Sequence, residues 1–262
     1  MKKVTPPTLY PYAVESQYSD RILALVDVNN KKMMKTFDKN VKPLIKKYYD
    51  DLKSAKEKKV LLKDAGELSN VMEILKLIEA LTFGVFTESR MLDAANRFVK
   101  DLDLFSMKQF NSQARLHGID LLQTDDTIKD YVTASIKKNV GYIKSIATQQ
   151  HDKIETIIFE GMKSGQSIAS IRSGIEEVGK VSRNKAQFIA VDQSGKMFGE
   201  LNKMRHEAAG VEEFVWLTAG DERVRPEHRN YSGRKFNYKD GANGKFPGSS
   251  DYRCRCVAQP VF

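Results

Sequence analysis

Apolar side chains recur at intervals of three and four residues along most of the chain before residue 210, as on the buried face of an amphipathic helix. From Ser19 to Lys63 these positions alternate with charged clusters and predict helices. A second helical stretch is predicted from Ser69, whose hydroxyl suits a helix N-cap, toward Phe105. Gly84 and Gly118 are expected to interrupt or end helices in this part of the chain.

The strongest helical pattern begins at Asp125-Asp126-Thr127. Its apolar positions share one helix face and are Ile128, Val132, Ile136, Val140, Ile143 and Ala147. We expect this helix to run on to Gly161. Gly165 and Ser167 then predict a stop and a new N-cap, followed by a shorter helix.

A separate helix is expected to start after Ser182 and to end near Gly210. The pattern then changes, because Phe214 to Thr218 is β-branched and aromatic and predicts a short strand. Residues 229 to 253 are rich in Gly, Asn, Ser, Tyr and Lys and predict irregular loops. A last strand is expected near Cys256 to Phe262.

These patterns predict a mainly α protein with a C-terminal α+β domain, in which a long helical N-terminal region precedes a small mixed module with short strands and irregular loops. Three regions are expected along the sequence. Residues 1–18 form a Pro- and Tyr-rich N-terminal arm, residues 19–160 form the helical region, and residues 161–262 form the C-terminal domain.

Composition limits the cellular setting. The chain has 262 residues, of which 41% are apolar, so it can bury a substantial core. No apolar run approaches the roughly 18 residues that span a bilayer, and the first residues lack the apolar region of a signal peptide. The two cysteines are separated by one residue and are poorly placed for a disulfide, which suits a reducing cytoplasm. We therefore expect no membrane partner and no secretion.

Charge is distributed unevenly along the chain. Residues 1–63 carry 15 basic and 7 acidic residues, residues 64–220 carry 19 and 22, and residues 221–262 carry 9 and 5. A basic end attracts DNA or an acidic protein surface, and charge alone does not separate these partners from a solvated helix face. The residues predicted to contact a partner or DNA are Lys31, Lys32, Lys35, Lys39, Lys46 and Lys47.

The C-terminal fifth of the chain carries a dense constellation with the pattern W-x-T-x-x-D-x-R-V-R-x-x-H, then C-R-C-x-x-x-P-V. Its motif residues are Trp216, Asp221, Arg223, Arg225, His228, Gly233, Cys254 and Cys256. Arranged in this order, the stretch resembles the C-terminal domain of Mu F-like phage minor head proteins. One departure from that family lies at Val191 to Gly195, where relatives usually continue a regular helix and this chain has a glycine.

The resemblance implies a virion component that takes part in head morphogenesis at or near the portal vertex. It implies the phage portal protein as the partner, with the scaffold or the major capsid protein as alternatives. The lysine-rich N-terminal part separately predicts non-specific contact with packaged DNA as a secondary property. The resemblance also implies assembly in the host bacterial cytoplasm and a final place in the capsid interior or at the portal vertex. The mechanism in this interpretation is assembly by binding, not catalysis.

The same constellation permits three interpretations from its residue types. Asp221, Arg223 and Arg225 can tie irregular loops together, because a guanidinium donates paired hydrogen bonds to a carboxylate. Alternatively, His228, Cys254 and Cys256 can bind zinc, with Asp221 or water as the fourth ligand, although C-x-C is closer than the usual zinc spacing. The cysteines also suit a buried core, where free cysteine is common. No cofactor other than zinc is indicated.

Catalysis receives little support from the sequence. There is no P-loop, no G-x-G-x-x-G and no Ser-His-Asp set, so we predict that the protein is not an enzyme. The main alternative to the head-protein interpretation is a phage-encoded nuclease or DNA-binding protein in which Asp221 and His228 act on DNA.

Overall fold

The computed structural model describes residues 5–57, 64–119 and 126–262, with the side chains of residues 55–57 and 64–70 left aside. Its helices are α1 (Tyr12–Thr36), α2 (Lys42–Glu57), α3 (Asp64–Val85), α4 (Glu88–Leu116), α5 (Asp126–Lys163), α6 (Ile168–Ala208) and α7 (Pro226–Tyr231). A π-helical turn, Phe37–Val41, joins α1 to α2. The strands are β1 (Glu213–Leu217), β2 (Lys235–Asn237) and β3 (Val257–Val261). The predicted fold class, mainly α with a C-terminal α+β part, is confirmed.

The three strands form one antiparallel sheet with the order β2-β1-β3. Phe214 on β1 lies opposite Phe236 of β2 and Pro260 of β3, and Trp216 lies opposite Ala258. Phe214 and Trp216 are fully buried, as expected for alternate residues on the inner face of a strand. The small sheet therefore rests on an aromatic core.

The described residues fall into two compact units. The sheet unit comprises Met1–Asp20, Leu92–Val140 and Phe188–Phe262, and the helical unit comprises Arg21–Met91 and Gly141–Gln187. Each unit gathers segments from both halves of the chain. The predicted sequence boundaries near residues 18 and 160 stay predictions, since compactness in space and order along the chain are different criteria.

The helical unit is built around apolar residues from six segments, which are five α-helices and the π-helical turn. Its core comprises Met33, Phe37, Val41, Ile45, Ile74, Ile78, Ile154, Ile158, Met162, Ile171 and Ile175. Gly161 is needed where α5 meets α6, because a Cβ there would lie 2.6 Å from Cγ1 of Ile171. Gly165 has φ +70°, and the backbone N–H of Ser170 donates to the Ser167 hydroxyl at 3.0 Å. The predicted stop and N-cap before α6 are confirmed.

The sheet unit has its own helical core beside the sheet. The rings of Tyr18 and Phe98 stack with centroids 3.9 Å apart, and the Tyr18 hydroxyl donates to Asn139 at 2.9 Å. Residues of the predicted N-terminal arm belong to this unit: the backbone N–H of Leu9 donates to Gln109, and the side chain of Gln259 accepts from the Thr8 hydroxyl at 3.1 Å. The arm is therefore attached, and α1 already begins at Tyr12.

Two local predictions were wrong. Ser69 does not cap a helix, because α3 begins at Asp64. No helix starts after Ser182, because this residue lies inside the uninterrupted α6. Its hydroxyl donates a hydrogen bond to the carbonyl oxygen of Val178 at 2.9 Å. The helix predicted to end near Gly210 does include Val191 to Gly195, and α6 ends at Ala208.

Candidate functional site

The motif residues meet in the sheet unit, around the loops that connect the three strands. Trp216 lies on β1, and Cys254 and Cys256 come immediately before β3. Gly233 has φ +76°, a conformation that costs glycine little, and its N–H donates to the carbonyl of Trp216 at 2.9 Å. The turn from Gly220 to Arg225 leads into α7, which carries His228. The fold thus brings distant parts of the motif into one small region.

Asp221 and Arg223 form an ion pair within the turn before α7. The backbone N–H of Arg223 donates to Asp221 Oδ1 at 3.0 Å, and its Nε donates to Oδ2 at 3.0 Å. The hydrogen bond from Arg223 holds the pKa of Asp221 below its usual value. Arg225 donates from Nη2 to the carbonyl of Tyr252 at 2.7 Å and connects this turn to the cysteine segment.

His228, Cys254 and Cys256 form a buried cluster. The Nδ1 atom of His228 lies 3.6 Å from Cys254 Sγ and 3.5 Å from Cys256 Sγ. The exposed fractions of the three residues are 2%, 3% and 4%. The nitrogen and sulfur atoms that could bind a metal ion in these three residues all lie within 4.8 Å of one another. Asp221, predicted as a fourth ligand, is not in that set, and its carboxylate binds Arg223 instead.

A carboxylate holds the other nitrogen of the histidine ring. Asp251 Oδ2 lies 3.0 Å from His228 Nε2 and 3.4 Å from Lys245 Nζ. Lys245 in turn contacts Glu227 at 2.6 Å. Because a carboxylate only accepts, the Nε2 atom carries the proton and donates it, and the lone pair of Nδ1 then faces the two sulfur atoms.

The two thiols influence each other's ionisation. The hydrogen bond with Cys256 lowers the pKa of Cys254 to about 6, against the opposing effect of burial. The pKa of Cys256 is raised, first by the hydrogen bond with Cys254 and then by burial. The hydrogen bond between the two sulfur atoms therefore shifts the two pKa values in opposite directions.

The cysteine loop packs directly on the backbone of α6. A Cβ on Gly195 would lie 2.1 Å from the carbonyl oxygen of Cys254, and one on Gly199 would lie 2.4 Å from that of Pro247. Asp192 on the same helix accepts a hydrogen bond from the backbone N–H of Arg253 at 3.0 Å. Gly195, the glycine that departs from the family pattern, thus allows the cysteine loop to pack closely against α6.

The cluster lines a small pocket whose other walls are mostly cationic. Four arginines, Arg223, Arg225, Arg253 and Arg255, line it together with Asp221. Arg255 is largely neutralised, because its Nε and Nη2 atoms donate to the two oxygens of Glu15 at 3.0 and 2.7 Å. Asp221 and His228 therefore line the same pocket, but both are already engaged by other side chains.

Four residues that contact the motif or its loops were not indicated by the sequence pattern, namely Glu15, Asp192, Gly199 and Asp251. Asp251 is only three residues from Cys254, and an acidic residue beside C-x-C was the one local signal for it. The others are distant in sequence from the residues that they contact.

The six predicted lysines lie in the helical unit, away from this motif along the chain. All six are exposed, on the end of α1, the π-helical turn and α2. Lys31, Lys35, Lys39 and Lys47 each stand two positions from one of the buried residues Met33, Phe37 and Ile45, which places them on the opposite helix face. The carboxylates of Asp27 and Asp38 in the same stretch pair with Arg183 and Arg172 of α6.

Comparison with known proteins supports the resemblance seen in the sequence. Residues 152–259 match the family model described as Phage Mu protein F like protein. A Haemophilus influenzae (strain ATCC 51907 / DSM 11121 / KW20 / Rd) protein described only as uncharacterized is 34% identical over 178 residues. That alignment covers 66% of this chain and 40% of the relative, so the chain spans about two fifths of the relative's length. No solved structure matches.

The matched region contains α6, β1, β2, the first part of β3 and the complete histidine-cysteine cluster. Among the described residues, no helix has the length and apolar character required to cross a membrane. Over residues 152–259, the chain is similar to the family described as Phage Mu protein F like protein.

Proposed function

We propose that this protein acts in phage head morphogenesis as a minor head protein that binds the portal protein. The match of residues 152–259 to the Mu F-like family carries the proposal. The resemblance supports a position at or near the portal vertex, where the protein would be part of the virion. The scaffold and the major capsid protein are alternative partners of the same kind.

The basic face on α1, the π-helical turn and α2 supports binding to an acidic protein surface. This face is defined here by Lys31, Lys35, Lys39 and Lys47, which are exposed and, among the described residues, form no ion pair. The nearby carboxylates of Asp27 and Asp38 are neutralised by arginines. An array of uncompensated lysines increases the association rate with an acidic partner and makes binding sensitive to salt.

Co-expression with the portal protein of the same phage tests this proposal. The test variant replaces the four lysines of the basic face by glutamate, and the matched control replaces Lys100, Lys137, Lys138 and Lys144, which are exposed lysines of α4 and α5. We expect the wild-type chain and the control to co-purify with the portal protein at moderate salt, and the test variant to be lost.

The possible outcomes separate the parts of the proposal. Failure of the wild-type chain to associate with portal, scaffold or major capsid protein would overturn the binding role. Equal retention of both variants would leave the association intact and exclude the basic face as its surface. Circular dichroism of each variant verifies that the fold is retained.

Contact with packaged DNA is a second property of the same face. Lysines bind the DNA backbone without sequence preference, and each phosphate contact contributes to a linear fall of log affinity with log salt concentration. We expect the four-glutamate variant to lose DNA binding and its salt dependence in a mobility-shift titration, with the control lysine variant unchanged. Unchanged DNA binding of the four-glutamate variant would exclude this face.

The nuclease alternative receives less support from the geometry. A general base must lie within hydrogen-bond reach of the proton that it removes. His228 is buried, and its two ring nitrogens contact Asp251 and the cysteines. Asp221 is held by Arg223. A cleavage assay with added divalent metal, comparing wild-type chain with His228→Ala, tests the alternative; cleavage that disappears in the variant would revive it.

A further inference from the structure

We propose that His228, Cys254 and Cys256 bind one Zn²⁺ ion, with the fourth coordination position facing the adjacent pocket. The family match says nothing of a metal, and the inference rests on the geometry of these side chains. Nδ1 of His228 and the two sulfur atoms are the ligands. A water molecule or another small oxygen ligand completes the tetrahedron from the pocket side.

The distances agree with tetrahedral coordination. A zinc ion with bonds of about 2.05 Å to nitrogen and about 2.3 Å to sulfur, at the tetrahedral angle, separates the nitrogen and sulfur atoms by about 3.5 to 3.6 Å. The Nδ1 atom lies 3.6 Å from Cys254 Sγ and 3.5 Å from Cys256 Sγ. Both nitrogen–sulfur separations therefore match those around a bound zinc ion.

The surroundings of the histidine are those of a metal ligand. Asp251 accepts from Nε2 at 3.0 Å and fixes the tautomer in which Nδ1 carries a free lone pair. A carboxylate behind a ligating histidine is the usual outer partner at zinc sites, where it orients the ring and raises its basicity. Lys245 holds that carboxylate in place.

An unpaired donor points to the charge that the sulfur atoms would carry. The indole Nε1 of Trp216 is buried and has no hydrogen-bond partner among the described residues. Trp216 packs in the same buried core as Cys254 and Cys256, and its ring lies against that of His228 with the centroids 5.1 Å apart. A zinc-bound thiolate is a better acceptor for such a donor than a neutral thiol.

The donor types determine which ion fits. Two thiolates and one imidazole are soft and borderline ligands that favour zinc over magnesium or calcium, which prefer oxygen. Two thiolates also neutralise the charge of the ion, so that a buried site with three protein ligands carries no net charge. A disulfide between the cysteines is the competing fate, but C-x-C closes a strained ring.

Metal analysis of the untagged full chain tests the proposal. The chain is purified under reducing conditions, its zinc is measured, and the metal-free protein is titrated with Co²⁺, because a thiolate-bound tetrahedral Co²⁺ has a characteristic visible absorption. We expect one metal ion per chain. Cys254→Ser and Cys256→Ser should abolish binding, and Asp251→Asn, which keeps both cysteines, should weaken it about 10- to 100-fold.

A second group of side chains provides the matched control. His151, Asp152 and Glu155 lie on α5 and also bring ligand atoms within reach of one another. His151→Gln should leave both the metal content and the Co²⁺ spectrum unchanged. A folded wild-type chain with far less than one zinc per chain and no Co²⁺ absorption would overturn the proposal. So would metal that stays in the folded Cys254→Ser and Cys256→Ser chains and leaves with His151→Gln.

Discussion

At the scale of single residues, two glycines decide how the cysteine loop sits on α6. We expect Gly195→Ala and Gly199→Ala to destabilise the fold by about 1 to 3 kcal/mol or more, since the added methyl groups would overlap backbone carbonyl oxygens that cannot rotate away. The free energy of unfolding in urea, followed by the fluorescence of the only tryptophan, Trp216, measures the effect.

Gly141 is the control for these substitutions. It lies within α5 and has no atom within 4 Å of its hypothetical Cβ. Gly141→Ala should therefore stabilise the protein by about 0.5 to 1 kcal/mol through helix propensity alone. If Gly195→Ala and Gly199→Ala changed the free energy of unfolding by the same amount as Gly141→Ala, the close contact with the cysteine loop would be contradicted.

His206 predicts a pH dependence of stability. Burial, and secondarily the charge of Arg205, lower its pKa to about 3 in the folded protein, where its ring bonds to the Tyr238 hydroxyl. The unfolded chain has a histidine pKa of about 6.5, so below that pH it takes up a proton that the folded chain does not. Stability is therefore complete above about pH 6.5 and is lost as the pH falls toward about 3.

Urea unfolding at two pH values measures this effect. Between pH 7 and pH 5 we expect a loss of about 2 kcal/mol from His206. The His206→Gln chain should be less stable at pH 7 but should lose correspondingly less on acidification, whereas His117→Gln should keep the wild-type pH dependence. The same pH dependence in all three chains would show that His206 is protonated in the folded state.

At the scale of elements, α1 and the segment before β3 are joined by the ion pair between Glu15 and Arg255. Their side chains are 11% and 12% exposed, and Arg255 donates one hydrogen bond to each carboxylate oxygen of Glu15. We expect Arg255→Ala to cost about 2 to 3 kcal/mol of unfolding free energy, because it leaves Glu15 charged and little hydrated. Lys180→Ala, at an exposed pair with Glu177, should cost at most about 0.5 kcal/mol in the same assay. Equal losses would indicate that Arg255 is screened by solvent.

At the scale of the whole molecule, the first 63 residues are part of both compact units. Tyr18 belongs to the core of the sheet unit, and Met33, Phe37 and Ile45 belong to that of the helical unit. A chain that begins at residue 64 would expose the apolar surface that these residues cover, at about 1.5 to 3 kcal/mol for each large side chain. We expect it to be insoluble or to lack a cooperative urea transition, in contrast to the full chain. A soluble, cooperatively unfolding fragment would show that residues 1–63 are dispensable for the fold.

Local sequence patterns determined most helix and strand positions. The start of α5, the glycine and serine before α6, and the strands β1 and β3 follow from periodicity and from residue types whose preferences act over a few neighbours. Ser182 misled the prediction because its hydroxyl can bond within a helix as well as cap one, and both choices satisfy it.

The sequence by itself also determined the motif and its resemblance to the Mu F-like family, because the order and spacing of the motif residues are properties of the chain. Only the tertiary structure decided which side chains meet. It separated Asp221 from the cysteine cluster, placed Asp251 behind His228, and brought Glu15 to Arg255 across most of the chain. It also explained Gly195, because a larger side chain there would overlap the carbonyl oxygen of Cys254. Contacts between residues far apart in sequence depend on how whole elements pack, and no local preference contains that information.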